Sequence, residues 1–344
     1  MLLITEADQY MGYSIACHLG RFAALRSNIR LMCQTKKTCL NFEKKGMDVQ
    51  VVDYTHPHHL SLALRGVDHI ILAIGHDHNR VDMAKRLIQM AVQSGIQSII
   101  VISHVGAVSP YHDSLKQYAE IEQLVIDTEC QWTILRPDWV NQNFHLWAPF
   151  IEKHRHLPLP VPDDAEMCPI DITDICKVVE QLVTHQQQQV GGKMEEARKW
   201  KSALNDEHDG QVYTLTGSQT ASPKAMVQML SQATGYTKME YKWTRPMDLA
   251  YYFEELKRDI WFDARLKQEN AQIYHDDFTT FNYRSKAFAA PSRTQIQTML
   301  DYFDWIHKTS SSIVVPHAPM ITSLPCRPLR KFFQENANTF KPRV

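Results

Sequence analysis

The feature that most constrains this chain is the alternation of apolar runs with helix-period segments over its first half. From residue 1 to about 145, short continuous apolar runs are followed by segments whose apolar residues recur every three or four positions. Continuous apolar runs are typical of strands covered on both faces of a parallel sheet. The predicted strands are "LLIT", "IRLMCQ", "VQVVDY", "HIILAI", "SIIVISH" and "WTILRP", and the predicted helices lie at 11–24, 58–64, 79–94 and 115–128. We therefore predict an α/β fold with a doubly wound parallel sheet.

The second half of the chain is less regular. We expect a domain over 1–149 and a smaller C-terminal α/β lobe over 150–344 that completes the fold and faces a substrate or a partner. A polar segment at about 186–210, bounded by glycine, predicts a surface insertion. In this lobe we predict one helix capped by Asp171 or Thr173 and another capped by Ser222. A third predicted helix spans about 246–268, and a last one has Leu329, Phe332, Phe333 and Phe340 on one face.

The charge composition excludes some classes of function. The 344 residues include 37 Lys and Arg against 38 Asp and Glu, for a net charge of −1. No basic field attracts the chain to nucleic acid or to an anionic membrane, so we expect neither as a direct partner. The chain shows no signal-peptide pattern and no apolar run near the roughly 20 residues of a membrane span, and its cysteines lack C-x-x-C spacing. These features favour a cytoplasmic protein, or one that is also nuclear.

Several motifs occur in the order found in one known family. They include "SGIQSIIVISHVGA", "AEIEQLVIDTECQWTILRPDWVNQNF", "CPIDITDICKVV" and "VYTLTGSQTASPKAMVQMLSQATG", of which "TILRP" followed by "NQNF" is the most specific. The chain thus resembles NmrA-like proteins, which are atypical short-chain dehydrogenases/reductases with an NAD(P)-binding Rossmann fold. The resemblance implies a Rossmann-like fold over almost the whole chain. The family includes redox-sensing regulators and NADPH-dependent quinone reductases.

The loop after the first strand departs from the family pattern. The family's T-G-A-x-G-x-x-G corresponds here to "TEADQYMG", so only the third glycine, Gly12, remains, and its role is close helix–strand packing. The side chain of Gln9 stands where a diphosphate would pass, and Glu6 and Asp8 add negative charge near a helix N-terminus. We expect NADP binding to be weakened or absent; the alternative is that Glu6 turns outward and the loop still binds the cofactor. The loop positions that the resemblance assigns to the cofactor are Thr5, Ala7, Gln9, Tyr10, Met11 and Gly12.

The end of the second strand bears on the choice of cofactor. It carries no acidic residue to accept hydrogen bonds from an adenosine ribose, and Lys36 and Lys37 can meet a 2′-phosphate, so NADP is favoured over NAD. The family's usual arginine in this region is replaced by Gln34, and the alternative for the lysines is a solvated surface. Asp53 matches a family position near adenine or is a turn residue. The other positions assigned to the cofactor are Ile74, His76, Arg80 and Ser103.

The chain has no Tyr-x-x-x-Lys pair of the kind that typical short-chain reductases use as a proton donor. Tyr118 is followed four residues later by Glu122, and Lys116 lies on a different helical face. Ser103 and Tyr118 remain as the candidate catalytic residues, and the alternative for Ser103 is a hydrogen-bonding role at the end of a strand. The histidine-rich stretches "HPHHL" and "GHDHNR" supply at most a pair of ligands each, so we expect no metal site.

Three hypotheses on function follow from these residues. The first is an NmrA-like protein with an eroded glycine-rich loop that acts as an NADP sensor or as a non-catalytic regulator with a protein partner. The second is an NADPH-dependent reductase of a quinone or a similar small-molecule acceptor, in which direct hydride transfer depends mainly on orientation. The third is a fold kept for stability alone, with no ligand.

Overall fold

The computed structural model describes residues 1–186, 198–201, 203–264, 266, 288–309 and 313–342. Its strands are β1 (Leu2–Ile4), β2 (Ile29–Cys33), β3 (Asp48–Val51), β4 (His69–Leu72), β5 (Ser98–Ile102), β6 (Gln131–Pro137), β7 (His156–Leu159), β8 (Thr184–Gln186), β9 (Arg198–Trp200), β10 (Gln211–Leu215) and β11 (Glu240–Trp243). Its α-helices are α1 (Tyr10–Gly20), α2 (Lys36–Lys44), α3 (Pro57–Leu64), α4 (Arg80–Gln93), α5 (Asp113–Ile126), α6 (Ala148–His154), α7 (Ile172–Val183), α8 (Pro223–Thr234), α9 (Pro246–Leu256), α10 (Arg293–Thr309), α11 (His317–Thr322) and α12 (Leu329–Glu335).

A parallel sheet forms the centre of the fold. Within the described residues, 7 strands pair in the order β10-β6-β5-β4-β1-β2-β3. The pairs in this sheet are all parallel. The order reverses between β1 and β4, and open α/β sheets bind ligands at such a reversal, beside the carboxyl ends of the strands. The predicted doubly wound parallel sheet is confirmed.

The sheet is covered by helices on both faces, which explains the continuous apolar runs of the sequence. Leu2 and Ile4 of β1 pack into a cluster with side chains of α1, α2 and α7. Leu3, between them, packs into a second cluster with side chains of α3, α4 and α5. Because successive side chains of a strand point to opposite faces, a strand that is covered on both faces, such as β1, is apolar at successive positions.

The second half of the chain contributes to the central sheet and also forms an aromatic core of its own. Strand β10 pairs with β6 at the edge of the sheet, and α7 packs against α1. The separate core lies among α6, α8, α9, α10 and α12. Its large buried side chains include Trp139, Trp147, Phe253, Tyr302, Phe303, Phe332, Phe333 and Phe340.

Two of the predicted helix starts are confirmed by their caps. The Asp171 carboxylate accepts a hydrogen bond from the Thr173 N–H at the start of α7. The Ser222 hydroxyl accepts one from Ala225 at the start of α8, where Pro223 takes the first position.

Some predicted boundaries differ from the structure. The first helix ends at Gly20, short of residue 24, and a 3-10 helix from Ala23 to Asn28 follows it. Helix α12 ends at Glu335, so Phe340 joins the same core from the turn that follows the helix. Of the described helices, none combines the length and apolar character needed to cross a membrane.

Two predicted segments fall partly outside the described residues. The insertion at about 186–210 is described at its two ends, where β8 pairs with β9 in antiparallel fashion, and residues 187–197 and 202 lie outside the description. The aromatic stretch predicted at about 246–268 begins with α9, and 265, 267 and 268 lie outside the described residues.

Candidate coenzyme crevice at the carboxyl edge of the sheet

A crevice opens where the strand order reverses, at the carboxyl ends of β1, β4, β5 and β6. It has a volume of about 200 Å³. An apolar protein cavity of roughly 150 Å³ holds a benzene molecule, so this space suits a single ring system. Its walls include Glu6, Gln9, Tyr10, Met11, Ile74, Gly75, His76, Ser103, His104, Tyr118, Asp138 and Trp139.

The first loop keeps the backbone shape of a glycine-rich loop although it has lost two of the glycines. Glu6 occupies the first-glycine position with φ of 45°, in the left-handed region that favours glycine. A Cβ atom on Gly12 would lie 2.4 Å from the carbonyl oxygen of Thr5 and 2.5 Å from that of Glu6. Gly12 therefore has the packing role that the sequence predicts, because any side chain there would push α1 away from β1.

The Glu6 side chain turns inward and bridges two loops. It is only 6% exposed, and its Oε2 accepts a hydrogen bond from the Gly75 N–H at 3.2 Å, across to the loop after β4. Burial raises the pKa of Glu6 to about 8, and the nearby Asp8 and Asp77 carboxylates add to the rise. Most Glu6 carboxyl groups are therefore neutral at pH 7. The prediction that Glu6 places a repulsive negative charge beside a diphosphate is therefore wrong for most molecules at pH 7.

Asp8 faces away from the crevice, toward the end of β2. It is 7% exposed, and its Oδ2 accepts hydrogen bonds from the Gln34 N–H at 3.1 Å and the Thr35 N–H at 2.7 Å. Burial raises the pKa of Asp8, although these amide hydrogen bonds act in the opposite direction. The carboxylate thus lies at the N-terminal end of α2, which begins at Lys36.

The rest of the first loop forms one wall of the crevice. The side chains of Gln9, Tyr10 and Met11 line it. Among the described residues no side chain caps α1, and its first backbone hydrogen bond runs from the Tyr13 N–H to the Gln9 carbonyl. The N–H groups of Met11 and Gly12 precede that bond, so they have no intrahelical acceptor.

A second cavity lies beside the ends of β2 and β3 and the start of α4. It has a volume of about 480 Å³, and its walls include Gln34, Val52, Asp53, Tyr54, His59, Asp77, Asp82 and Arg86. The Tyr54 hydroxyl is buried there with no hydrogen-bond partner among the described residues. The Asp53 carboxylate accepts hydrogen bonds from the N–H and the hydroxyl of Thr55 and pairs with His56. These bonds give Asp53 the geometry of a turn residue, which the sequence suggests as the alternative to a position near adenine.

The remaining positions predicted to bind a cofactor differ in their surroundings. The Thr5 hydroxyl accepts a hydrogen bond from the Ala73 N–H and so links β1 to the chain after β4, while Ala7 is buried in the core. Lys36 forms an ion pair with Glu43 at 2.7 Å, and Lys37 is exposed.

His76 and Arg80 follow β4 and contact the C-terminal half of the chain. His76 lines the crevice, and its carbonyl oxygen accepts a hydrogen bond from the Ser292 hydroxyl at 2.8 Å. Arg80 is fully buried and donates hydrogen bonds to Gln117, to the carbonyl oxygens of Gly75 and Ser114, and to Thr298. Arg80 thus supports the crevice from behind, whereas the sequence suggests that it contacts the cofactor.

The two candidate catalytic residues lie on the same wall. The Ser103 hydroxyl donates a hydrogen bond to Glu122, which also forms a two-bond ion pair with Arg136. This is the strand-end role that the sequence offers as the alternative for Ser103. The Tyr118 ring lies 4.4 Å from the Arg80 guanidinium, and its hydroxyl oxygen would lie 3.0 Å from a Cβ atom on Gly75. Glycine at position 75 therefore gives the Tyr118 hydroxyl its place at the crevice.

Asp138 is a crevice residue that sequence reasoning missed. It follows β6 and lines the crevice, and its Oδ1 accepts hydrogen bonds from the Tyr302 hydroxyl at 2.5 Å and from the Trp139 N–H at 2.6 Å. Burial raises the pKa of Asp138 to about 6. Ligands of open α/β sheets bind at the carboxyl ends of the strands, and the place of Asp138 directly after β6 is the signal that could have identified it.

Two sequence relatives are reductases. The chain is 23% identical over 344 residues to a (4-alkanoyl-5-oxo-2,5-dihydrofuran-3-yl)methyl phosphate reductase of Streptomyces griseus, covering 99% of this chain and 100% of that protein. It is 24% identical over 192 residues to an NAD(P)H azoreductase of Xenophilus azovorans, covering 56% of this chain and 60% of that protein.

The fold is shared with solved reductase structures. An NADPH-dependent quinone oxidoreductase of Escherichia coli, complexed with NADPH, has a TM-score of 0.67 at 17% identity, covering 97% of this chain and 99% of that chain. A triphenylmethane reductase of Citrobacter sp., complexed with NADP(H), has a TM-score of 0.69 at 15% identity, with 98% and 99% covered. In addition, residues 14–146 match the model of a family described as NAD(P)H-binding, a match that begins after the altered first loop. The chain therefore has a Rossmann-like α/β fold in which residues 14–146 match an NAD(P)H-binding family.

Proposed function

We propose that this chain is a reductase that uses a nicotinamide dinucleotide to reduce a small acceptor with a conjugated carbonyl group, such as a quinone. The observation that carries the proposal is the presence of two cavities along the carboxyl edge of the sheet. One suits a ring system and the other lies at the ends of β2 and β3, which matches the two halves of a dinucleotide. The full-length similarity to a reductase whose substrate carries a 5-oxo-2,5-dihydrofuran ring supports the same class of acceptor.

The residues of this structure fit such a coenzyme. The amides of Met11 and Gly12 lie in the first turn of α1 and have no intrahelical acceptor, so they can donate hydrogen bonds to a diphosphate group. Because burial raises the pKa of Glu6 to about 8, its side chain repels a diphosphate less than a fully ionised carboxylate would. Tyr54 supplies a buried hydroxyl in the second cavity that lacks a partner among the described residues. These groups would hold the coenzyme, and the chemistry it supplies when bound is hydride donation.

The chain's own contribution to the chemistry is orientation and a proton. Reduction of a carbonyl acceptor requires a proton at its oxygen, and the Tyr118 hydroxyl lies on the crevice wall beside Gly75. Arg80 lies against the Tyr118 ring, and its hydrogen bonds go to neutral amide, carbonyl and hydroxyl oxygens, so its positive charge favours negative charge that develops nearby. We assign to Tyr118 the donor role that tyrosine has in Tyr-x-x-x-Lys enzymes, with Arg80 in place of the lysine.

The proposal is tested with the purified chain. NADH and NADPH are titrated by thermal shift and by fluorescence, and coenzyme oxidation is followed with menadione and with an unsaturated furanone as acceptors. We expect saturable micromolar binding and turnover. Tyr118→Phe should lower kcat at least about tenfold with coenzyme affinity unchanged. Tyr111→Phe, which alters a hydroxyl on an 85% exposed side chain, is the matched control. The absence of a shift at millimolar concentrations of either coenzyme would refute the proposal.

A second candidate is a coenzyme-sensing or non-catalytic regulator with a protein partner, of the kind that the NmrA-like resemblance implies, in the cytoplasm or the nucleus. The Glu6–Gly75 hydrogen bond favours it, because this bond must open before a diphosphate can pass between the two loops. Saturable coenzyme binding without oxidation by any acceptor would support the regulator over the reductase. Of the two lysines that lead the sequence analysis to expect NADP, Lys36 is paired with Glu43, so that expectation rests on Lys37.

A further inference from the structure

We infer that Asp8 makes the adenosine end of the crevice select a free ribose 2′-hydroxyl, as in NAD(H), over a ribose 2′-phosphate, as in NADP(H). This inference deepens the proposed function and rests on it in one respect, namely that the adenosine half binds beside the ends of β2 and β3. It opposes the preference for NADP that the sequence analysis expects from Lys36 and Lys37.

The first observation is the position of the Asp8 carboxylate. The second strand itself ends without an acidic residue, but Asp8 reaches its end from the first loop. Its Oδ2 accepts hydrogen bonds from the amides of Gln34 and Thr35 at 3.1 and 2.7 Å. An acidic side chain at this place in a Rossmann fold hydrogen-bonds the adenosine ribose. The structure therefore supplies the missing carboxylate from a different segment of the chain.

The amides of Gln34 and Thr35 are also the hydrogen-bond donors that a ribose 2′-phosphate would need. They lie directly before α2, whose N-terminal end carries a partial positive charge and attracts anions. Because the Asp8 carboxylate already binds both N–H groups, a 2′-phosphate would lose these donors and would also meet a like charge. A 2′-hydroxyl has no such conflict, since it can donate a hydrogen bond to a carboxylate.

The second observation concerns polar groups that are buried without partners. The Tyr54 side chain is 5% exposed, and its hydroxyl and the Oδ1 of Asp8 have no hydrogen-bond partner among the described residues. Tyr54 lines the second cavity. Buried polar groups in proteins are rarely left unpaired, so the Tyr54 hydroxyl indicates a ligand in this cavity that supplies a polar partner. A ribose and an adenine offer hydroxyl and nitrogen groups of this kind.

The charge of the second cavity points in the same direction. Its walls carry the carboxylates of Asp53, Asp77 and Asp82 against the guanidinium of Arg86 and the imidazole of His59. The wall is therefore acidic on balance, which disfavours a group that bears about two negative charges more than it disfavours a neutral hydroxyl.

The test uses four probes on the full chain. Adenosine 5′-monophosphate and adenosine 2′,5′-bisphosphate report on the adenosine end alone, and NADH and NADPH report on the whole site. Calorimetric titration should show the probe without a 2′-phosphate binding at least tenfold more tightly within each pair. Asp8→Asn should reduce this ratio at least fivefold, and Asp8→Ser is a second variant in case Asn disturbs the loop. Asp113→Asn removes a 95% exposed carboxylate on α5 and should leave the ratio unchanged.

The outcomes separate this inference from the reductase proposal. If NADPH binds as tightly as NADH, or if the folded Asp8 variants keep the wild-type ratio, the role of Asp8 is refuted while the reductase stands. Selective binding of adenosine 5′-monophosphate without binding of either coenzyme would support the role of Asp8 and refute the reductase. If none of the four probes binds, both are refuted.

Discussion

Glu6→Gln tests the electrostatics of the first loop most sharply, because it removes the titratable group and keeps the size and the hydrogen-bonding capacity of the side chain. Burial raises the pKa of Glu6 from its ordinary value of 4.5 to about 8. A difference of about 3.5 pH units, at about 1.4 kcal/mol per unit, corresponds to about 5 kcal/mol of unfolding free energy. Since the folded-state pKa lies above the unfolded-state value, the stabilisation is present below pH 4.5 and is lost as the pH rises through 8.

The assay is urea unfolding of the wild type and of Glu6→Gln at one-unit steps from pH 5 to pH 9. The free energy of unfolding of the variant minus that of the wild type should increase by about 1.4 kcal/mol per pH unit up to about pH 8 and then level off. Glu129→Gln, at an exposed position, is the control and should show a constant difference. A constant difference for Glu6→Gln as well would mean that the buried carboxyl ionises normally, and would refute the reasoning.

Three further predictions concern the loop and its support. Gly12→Ala should destabilise the chain by about 1–3 kcal/mol in urea unfolding, because the new Cβ meets backbone oxygen at 2.4 Å; unchanged stability would contradict the close packing. Glu6→Gly with Gln9→Gly should tighten NADH binding at least about tenfold in titrations, since it relieves the positive φ at residue 6 and clears the diphosphate path. Equal affinity would show that other residues limit binding. Arg80→Met should cost about 2–4 kcal/mol, because several buried acceptors lose their donor, whereas a loss below 1 kcal/mol would mean that these hydrogen bonds contribute little.

The sheet could be predicted from the sequence because the signal is local. Strands β1, β4 and β5 contain continuous apolar runs, and the structure shows why, since side chains such as Leu3 and Ile4 are buried on opposite faces. Of the positions predicted to bind a cofactor, those that border the crevice are Gln9, Tyr10, Met11, Ile74, His76 and Ser103.

The sequence alone could not reveal contacts between distant segments of the chain. Arg80 bonds to Thr298, which is 218 positions away, and the His76 carbonyl bonds to Ser292, so neither role is visible in the residues around them. The charge of Glu6 was also misjudged, because its ionisation depends on burial beneath the loop after β4. Asp8 reaches the end of β2 across 26 positions.

The central claim is that a nicotinamide coenzyme binds along the carboxyl edge of the sheet, and a crystal structure of the chain grown with NADH tests it most directly. We predict density for the adenosine in the cavity beside Tyr54, for the diphosphate at the amides of Met11 and Gly12, and for the nicotinamide beside Tyr118. A structure obtained at saturating NADH in which Glu6 still bonds to Gly75 and this edge holds no coenzyme would contradict the claim.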